Sequence, residues 1–194
     1  MPRYKGEYML KENILKQYRG KDLSKEEKEI RLQLITDPND ICKLRDLVVL
    51  LCRKKDIYGA VKLCIKTINK NPESADFFGL LGYLCYELDK MNKAIGYFRK
   101  SLELEPKAAF VHFLLGNTYS RIGRVKEAVQ SYDLAICLDL DIYSAHFHFA
   151  QNYEDIGQYD KALKEYTIAY EIDPRSEKLH NKIKKLSKEI SPAQ

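Results

Sequence analysis

The chain contains residue types capable of covalent and acid–base chemistry, but their spacing does not assemble a reaction centre. Gly20-Lys21, within "GKDLS", has no glycine-rich loop around it to cradle a phosphate. His146 and His148 are two residues apart in a helical pattern, so they face different directions and make a poor metal pair. Cys42, Cys52, Cys64, Cys85 and Cys137 form no C-x-x-C pair and are odd in number. Each lies in an apolar helical pattern, so they are expected as buried thiols in a reducing compartment rather than disulfides or metal ligands. The chain is therefore read as not an enzyme, with no cofactor and no metal. What remains are aromatic, amide and charged side chains, with 14 tyrosines and 7 phenylalanines among them. Rings offer broad apolar contact, and an amide can both donate to and accept from an extended backbone.

A repeat positions these residues. Pro38, Pro72 and Pro106 are spaced by 34 residues, and Pro174 falls on the same beat; Leu140 takes the beat that is missed. A fixed period of this length is the signature of a helical repeat array. With proline at position 32, the units are 41–74, 75–108, 109–142 and 143–176. Position 8 holds Val48, Gly82, Gly116 and Ala150, and position 20 holds Ala60, Ala94, Ala128 and Ala162. Position 11 holds Leu51, Cys85, Tyr119 and Tyr153; position 24 holds Cys64, Phe98, Tyr132 and Tyr166; position 27 holds Thr67, Ser101, Ala135 and Ala169. Positions 4, 8 and 11 share one helix face, as do 20, 24 and 27. Each unit reads as two antiparallel helices, with small residues of one meeting large residues of the other. Gly123 and Gly157, at position 15, suit the left-handed residue that closes a helix. Asp40, Ser74 and Ser176, at position 34, are placed to cap the next helix. At Leu140 the register is intact on both sides. The expectation there is a looser turn, or a preceding helix that runs slightly longer.

These residues resemble the tetratricopeptide repeat (TPR) family. Gly82, Ala94, Phe98 and Pro106 carry the likeness in one unit. Gly116, Tyr119, Gly123, Ala128, Tyr132 and Ala135 carry it in the next, and Tyr153, Gly157, Ala162, Tyr166, Ala169 and Pro174 in the last. Unit 41–74 is degenerate, with Val48 and Leu51 at positions 8 and 11. The resemblance implies an all-α, right-handed α-solenoid of helix-turn-helix units. Position 4, often tryptophan in the family, holds Leu44, Phe78, His112 and His146, and the two histidines are expected to be packed. The resemblance also implies that positions 2, 5, 9 and 12 of each first helix line a concave groove for a partner. The groove residues are then Asp76, Tyr83, Tyr86, Phe110, Phe113, Asn117, Arg121, Phe147, Gln151 and Glu154. Their rings are expected to form an exposed aromatic surface, with Glu154 and Asp155 making the far end acidic. The clamp for a C-terminal carboxylate found in chaperone-binding members is absent, since Val49 and Tyr83 occupy position 9 in the earlier units.

The ends carry further helices. Ser24 and Glu27 form a capping-box pattern before Ile30 and Leu34, and 7–18 reads as a helix before it. Glu26 stands where the repeats have alanine, so 1–40 is a helical extension rather than a unit. Leu179, Ile183, Leu186 and Ile190 form one stripe of a capping helix over 177–190, with lysines largely off it. The chain has 194 residues and a formal charge of +5. Residues 41–72 hold eight basic and two acidic groups, while 141–174 hold two and seven. No apolar run reaches the roughly 18 residues that a membrane helix needs, and the first residues lack a secretory stretch, so a cytoplasmic location is expected. The expected partner is another protein, through an extended or helical segment, with neither nucleic acid nor membrane. The alternatives are a structural subunit of a larger assembly, including an oligomer, or a TPR-type chaperone.

Overall fold

The computed structural model describes Tyr18 and residues 20–190. The expected helix over 7–18 lies outside the described residues except for Tyr18. Among the described residues there are helices and no strands. They are α1 (Leu23–Thr36), α2 (Ile41–Arg53), α3 (Ile57–Lys70), α4 (Ala75–Glu87), α5 (Met91–Leu104), α6 (Ala109–Arg121), α7 (Val125–Cys137), α8 (Ile142–Asp155), α9 (Tyr159–Ile172) and α10 (Glu177–Ile190). None is long and apolar enough to cross a membrane. The chain divides into two compact units, Met1–Asp139 and Leu140–Gln194.

In the first unit α2 pairs with α3, α4 with α5, and α6 with α7. Each pair is then covered by the next, α3 on α4 and α5 on α6, and α1 lies against α2. The small-into-large reading holds at atomic scale. A Cβ built on Gly82 would lie 2.6 Å from a ring carbon of Phe98, and one built on Gly116 would lie 2.7 Å from Tyr132. Only glycine lets positions 8 and 24 approach so closely. Ala60, Ala94 and Ala128 are buried beside these contacts. In the second unit α8 pairs with α9, Ala150 and Ala162 are fully buried, and α10 covers α9 through Leu179 and Leu186.

The turns inside the repeats share one device. Lys55, Asp89, Gly123 and Gly157, all at position 15, have φ of 64°, 56°, 74° and 73°. A left-handed residue lets backbone N–H groups of the turn reach carbonyls of the ending helix, as when Asp56 N donates to Leu51 O at 2.9 Å. The turn at the missed proline is the exception between repeats. The helix before it does not run longer. α7 stops at Cys137, one residue earlier in register than α3, α5 and α9, and α8 starts one residue early at Ile142. The turn keeps its four residues and shifts back by one. Asp139 takes φ 63°, and its N–H donates to Ile136 O at 2.9 Å. Proline restrains the residue before it to extended backbone. Without that restraint the turn adopts the left-handed form used inside the repeats. Asp141 then caps α8, its carboxylate accepting from the N–H (3.3 Å) and hydroxyl (2.7 Å) of Ser144.

Other end signals also moved. Asp22, not Ser24, caps α1, accepting from Ser24 N at 2.9 Å. Glu27 pairs instead with Lys54 (2.5 Å) and Arg31 (2.8 Å), tying α1 to the end of α2. Hydrogen bonds from Lys54, then Arg31, hold its carboxyl below the ordinary range. Asp40 caps α2 and Ser176 Oγ accepts from Leu179 N, while Ser74 makes no side-chain cap bond.

Candidate functional site

The ten residues that the sequence singles out divide between the two compact units. In the first, Asp76 opens α4 half-buried, and Tyr83 and Tyr86 follow two and three turns on. Phe110, Phe113, Asn117 and Arg121 run along α6 at helical spacing. The rings are not an exposed aromatic surface. Phe113 is fully buried, and Tyr83, Tyr86 and Phe110 are at most 8% exposed. The reason is mutual packing. Phe110 stacks on Phe113 with centroids 5.5 Å apart, and Phe113 meets Tyr132 at 6.2 Å. The Arg121 guanidinium lies 4.7 Å above the Tyr86 ring, a contact that favours the cation because the ring face is electronegative. Arg121 also pairs with Asp89 at 2.5 Å, which fixes the guanidinium over the ring.

Asn117 differs from its neighbours. It is 5% exposed, and its Oδ1 accepts from the Tyr132 hydroxyl at 2.6 Å. Its Nδ2 is buried and finds no acceptor among the described residues. An amide donor held in this way normally costs about 1–3 kcal/mol. The bond from Tyr132 orients the amide so that the donor points away from the ring. Burial raises the Tyr83 hydroxyl well above its ordinary range, with the nearby Glu87 carboxylate adding to it. The Cys52 thiol, in α2, is pushed up to about 12, chiefly by burial and then by Glu87. Both are neutral near pH 7, so the charges of this face come from Asp76, Glu87, Asp89 and Arg121.

In the second unit Phe147 is half-buried, stacked on Tyr143 at 6.1 Å and edge-on to Tyr166 at 5.6 Å. Gln151 is half-buried on α8. Glu154 accepts from the Tyr166 hydroxyl at 2.8 Å and pairs with Lys182 of α10 at 2.8 Å. Its carboxylate therefore fastens the terminal helix. That tether was invisible in the sequence, because Lys182 lies 28 residues away and reads as part of a solvated basic face. His146 is buried, with Nδ1 at 2.7 Å from Glu165 Oε2. His112 is not packed in the same way: it is partly exposed and contacts the Pro106 carbonyl at 3.0 Å. Cys52, Cys64 and Cys85 are buried thiols, but Cys42 is half-buried and Cys137 is exposed at the end of α7, against expectation.

Two tetratricopeptide-repeat family models match the chain, one at residues 97–130 and one at 75–107 and 143–176. The second keeps the frame of the sequence units, while the first begins inside α5 and ends in α7, as a periodic array permits. No curated protein matches the chain. Among solved structures the chain is similar to MamA, at 23% identity and TM-score 0.57, covering 77% of this chain and 88% of that one. It is similar to a thermophilic TPR protein of Thermus thermophilus, at 18% identity and TM-score 0.61, covering 84% and 90%. It is also similar to a tetratricopeptide repeat protein from Parabacteroides merdae, at 17% identity and TM-score 0.58, covering 85% and 66%. These likenesses show the fold, an all-α helical repeat of the solenoid class.

Proposed function

Because the chain is a tetratricopeptide-repeat protein, we propose that it is a non-catalytic protein-interaction module whose α4–α6 face receives a segment of a partner protein. The observation that carries this is Asn117. A buried, oriented amide donor lacking an acceptor suits a backbone carbonyl delivered from outside. Arg121, one turn on, and Asp76 supply charge at the rim, where it sets orientation and encounter rate more than affinity. Phe113 and Tyr132 form the rigid floor. In the other compact unit, Phe147 and Gln151 are proposed as further contacts to the same class of partner. Glu154 contributes mainly by fixing α10.

The test places a benzoylphenylalanine photo-crosslinker at Arg121 and, as a control, at Lys100 on the exposed side of α5. Crosslinking is done in lysate from the native cell. A protein segment captured at 121, not at 100, and lost with Asn117→Ala supports the reading. Equal capture at both positions, or capture indifferent to Asn117, defeats it.

A second reading, a subunit of an assembly, draws on a different feature. Val125, Val129 and Ile136 form an exposed apolar stripe along α7, and such stripes commonly mark interfaces. Light scattering after size exclusion distinguishes the two: an oligomer broken by Val129→Asp favours assembly, and a monomer favours the adaptor.

A further inference from the structure

The repeat supplies an internal control for its own surface. Positions 18 and 25, on the second helix of each unit, are wholly or partly exposed. In three units they are polar: Asn92 and Arg99, Lys126 and Asp133, Asp160 and Thr167. In α3 they are Tyr58 and Ile65, which are 75% and 44% exposed. Positions 22, 26 and 30 hold Lys62, Lys66 and Lys70 in this same unit, and no other unit has more than one basic residue across the three. Packing of the helix pairs therefore requires neither the apolar side chains nor the lysines.

The two sets lie side by side. Lys62, Lys66 and Lys70, at i, i+4 and i+8, form one row about 12 Å long. Tyr58 and Ile65, seven residues apart, form the row beside it. Lys55, exposed in the turn before α3, adds a fourth cation. The helix itself has no acidic residue. Asp56, just before it, is held at the helix start, where it accepts from Gly59 N at 2.9 Å. Lys70 donates to Asn39 Oδ1 at 3.3 Å, a neutral acceptor that leaves its charge unmatched. Lys55, Lys62 and Lys66 meet no carboxylate among the described residues.

α3 packs against α2 and α4, and on its remaining side Tyr58 stands clear of both. The result is a ridge with no walls. A peptide is bound by a groove or a sheet edge, and a ridge offers neither. A flat surface, by contrast, covers every projecting side chain at once.

We propose that the outer face of α3 docks on an anionic lipid surface. The lysine row lies over the headgroups, and Tyr58 and Ile65 enter the boundary between headgroups and acyl chains. Four lysines reach the size of cluster that reads as binding anionic membranes. Tyrosine suits that depth, because its ring is apolar and its hydroxyl stays wet. No spanning helix is involved, and none of the described helices is long and apolar enough to be one. Two apolar side chains make a shallow anchor, and salt screens the lysines, so the docking is reversible. It brings the chain to a membrane surface whatever its α4–α6 face receives.

The experiment is flotation of the full chain with vesicles of equal parts phosphatidylcholine and phosphatidylserine, and with pure phosphatidylcholine. The wild type should float with the first and not the second, and less so as salt rises. Lys62→Gln/Lys66→Gln should weaken binding about tenfold or more, and Tyr58→Ser/Ile65→Ser by a similar factor. All four positions are exposed, so these changes spare the core. Lys93→Gln/Lys100→Gln, which removes the same charge from α5, should change binding less than twofold. No flotation with the mixed vesicles overturns the proposal. So does an equal loss from the α5 pair, which would mean diffuse charge attraction, or binding indifferent to Tyr58→Ser/Ile65→Ser. Tighter Tyr58-dependent binding to an oligoglutamate peptide or to single-stranded RNA also overturns it, and assigns the face to a protein or a nucleic acid.

Discussion

Gly116→Ala and Gly82→Ala make the same chemical change at the same repeat position, and the structure predicts unequal costs. In both, the new methyl would lie 2.6–2.7 Å from ring carbons of position 24. Ordinary contact is about 3.5–4.0 Å, so each ring must retreat by roughly 1 Å. Such overpacking costs about 1–3 kcal/mol, and alanine in place of a helical glycine returns about 1 kcal/mol. Gly82→Ala should then cost about 0–2 kcal/mol, because Phe98 has no polar anchor to lose. Tyr132 has one. Its hydroxyl donates to Asn117 at 2.6 Å, and a 1 Å retreat breaks that bond, adding about 1 kcal/mol. Gly116→Ala should therefore cost about 1–3 kcal/mol. The assay is urea unfolding followed by circular dichroism. In a Tyr132→Phe background the extra cost should vanish, which a double-mutant cycle reads directly. Equal costs for the two glycines, or a Gly116→Ala protein more stable than wild type, would refute the reasoning.

Further outcomes rest on the same geometry. Lys55→Gly and Asp139→Gly should each stabilise the protein by about 0.5–1 kcal/mol in urea, because a side chain at positive φ is strained and glycine is not; the gain should be larger for lysine than for aspartate. His146→Ala should cost about 1–3 kcal/mol, since it strips a buried carboxylate of its partner, and a shift in thermal midpoint of less than a degree would argue that the pair is idle. Glu27 has a lowered folded pKa, so its contribution is complete above the ordinary value of 4.5 and is lost as pH falls through the lower folded value. Glu27→Gln should remove about 0–1 kcal/mol near pH 7 and flatten the acid limb of the stability curve. Glu154→Ala should speed hydrogen exchange throughout α10, because the Lys182 tether goes with it.

The sequence showed the helix pairs clearly because their contacts are short-range and periodic. Gly82 against Phe98, and alanine at every position 20, are forced by 34-residue spacing and close approach. It did not show the turn at 138–141. The absence of proline announces a change there, but a left-handed Asp139 and a one-residue shift depend on local backbone conformation that residue types leave open. The aromatic stripe was legible in position but not in exposure. Periodicity places Tyr83, Tyr86, Phe110 and Phe113 on one face, yet whether a face is wet depends on stacking between rings and on what lies above it. Asn117 stood out by type alone. Its role emerged only when Tyr132, 15 residues on, was seen to hold its oxygen and leave the nitrogen waiting. The tethers of Glu154 were not legible, because its partners, Tyr166 and Lys182, come from two later helices.

The proposed function turns on that nitrogen. The partner segment crosslinked at position 121, made as a synthetic peptide, should be titrated calorimetrically into the wild-type chain and into Asn117→Ala. Loss of a buried donor to a backbone carbonyl predicts a Kd weaker by roughly 5–150-fold, the equivalent of about 1–3 kcal/mol, with unchanged helix content. An affinity that Asn117→Ala leaves untouched would contradict it.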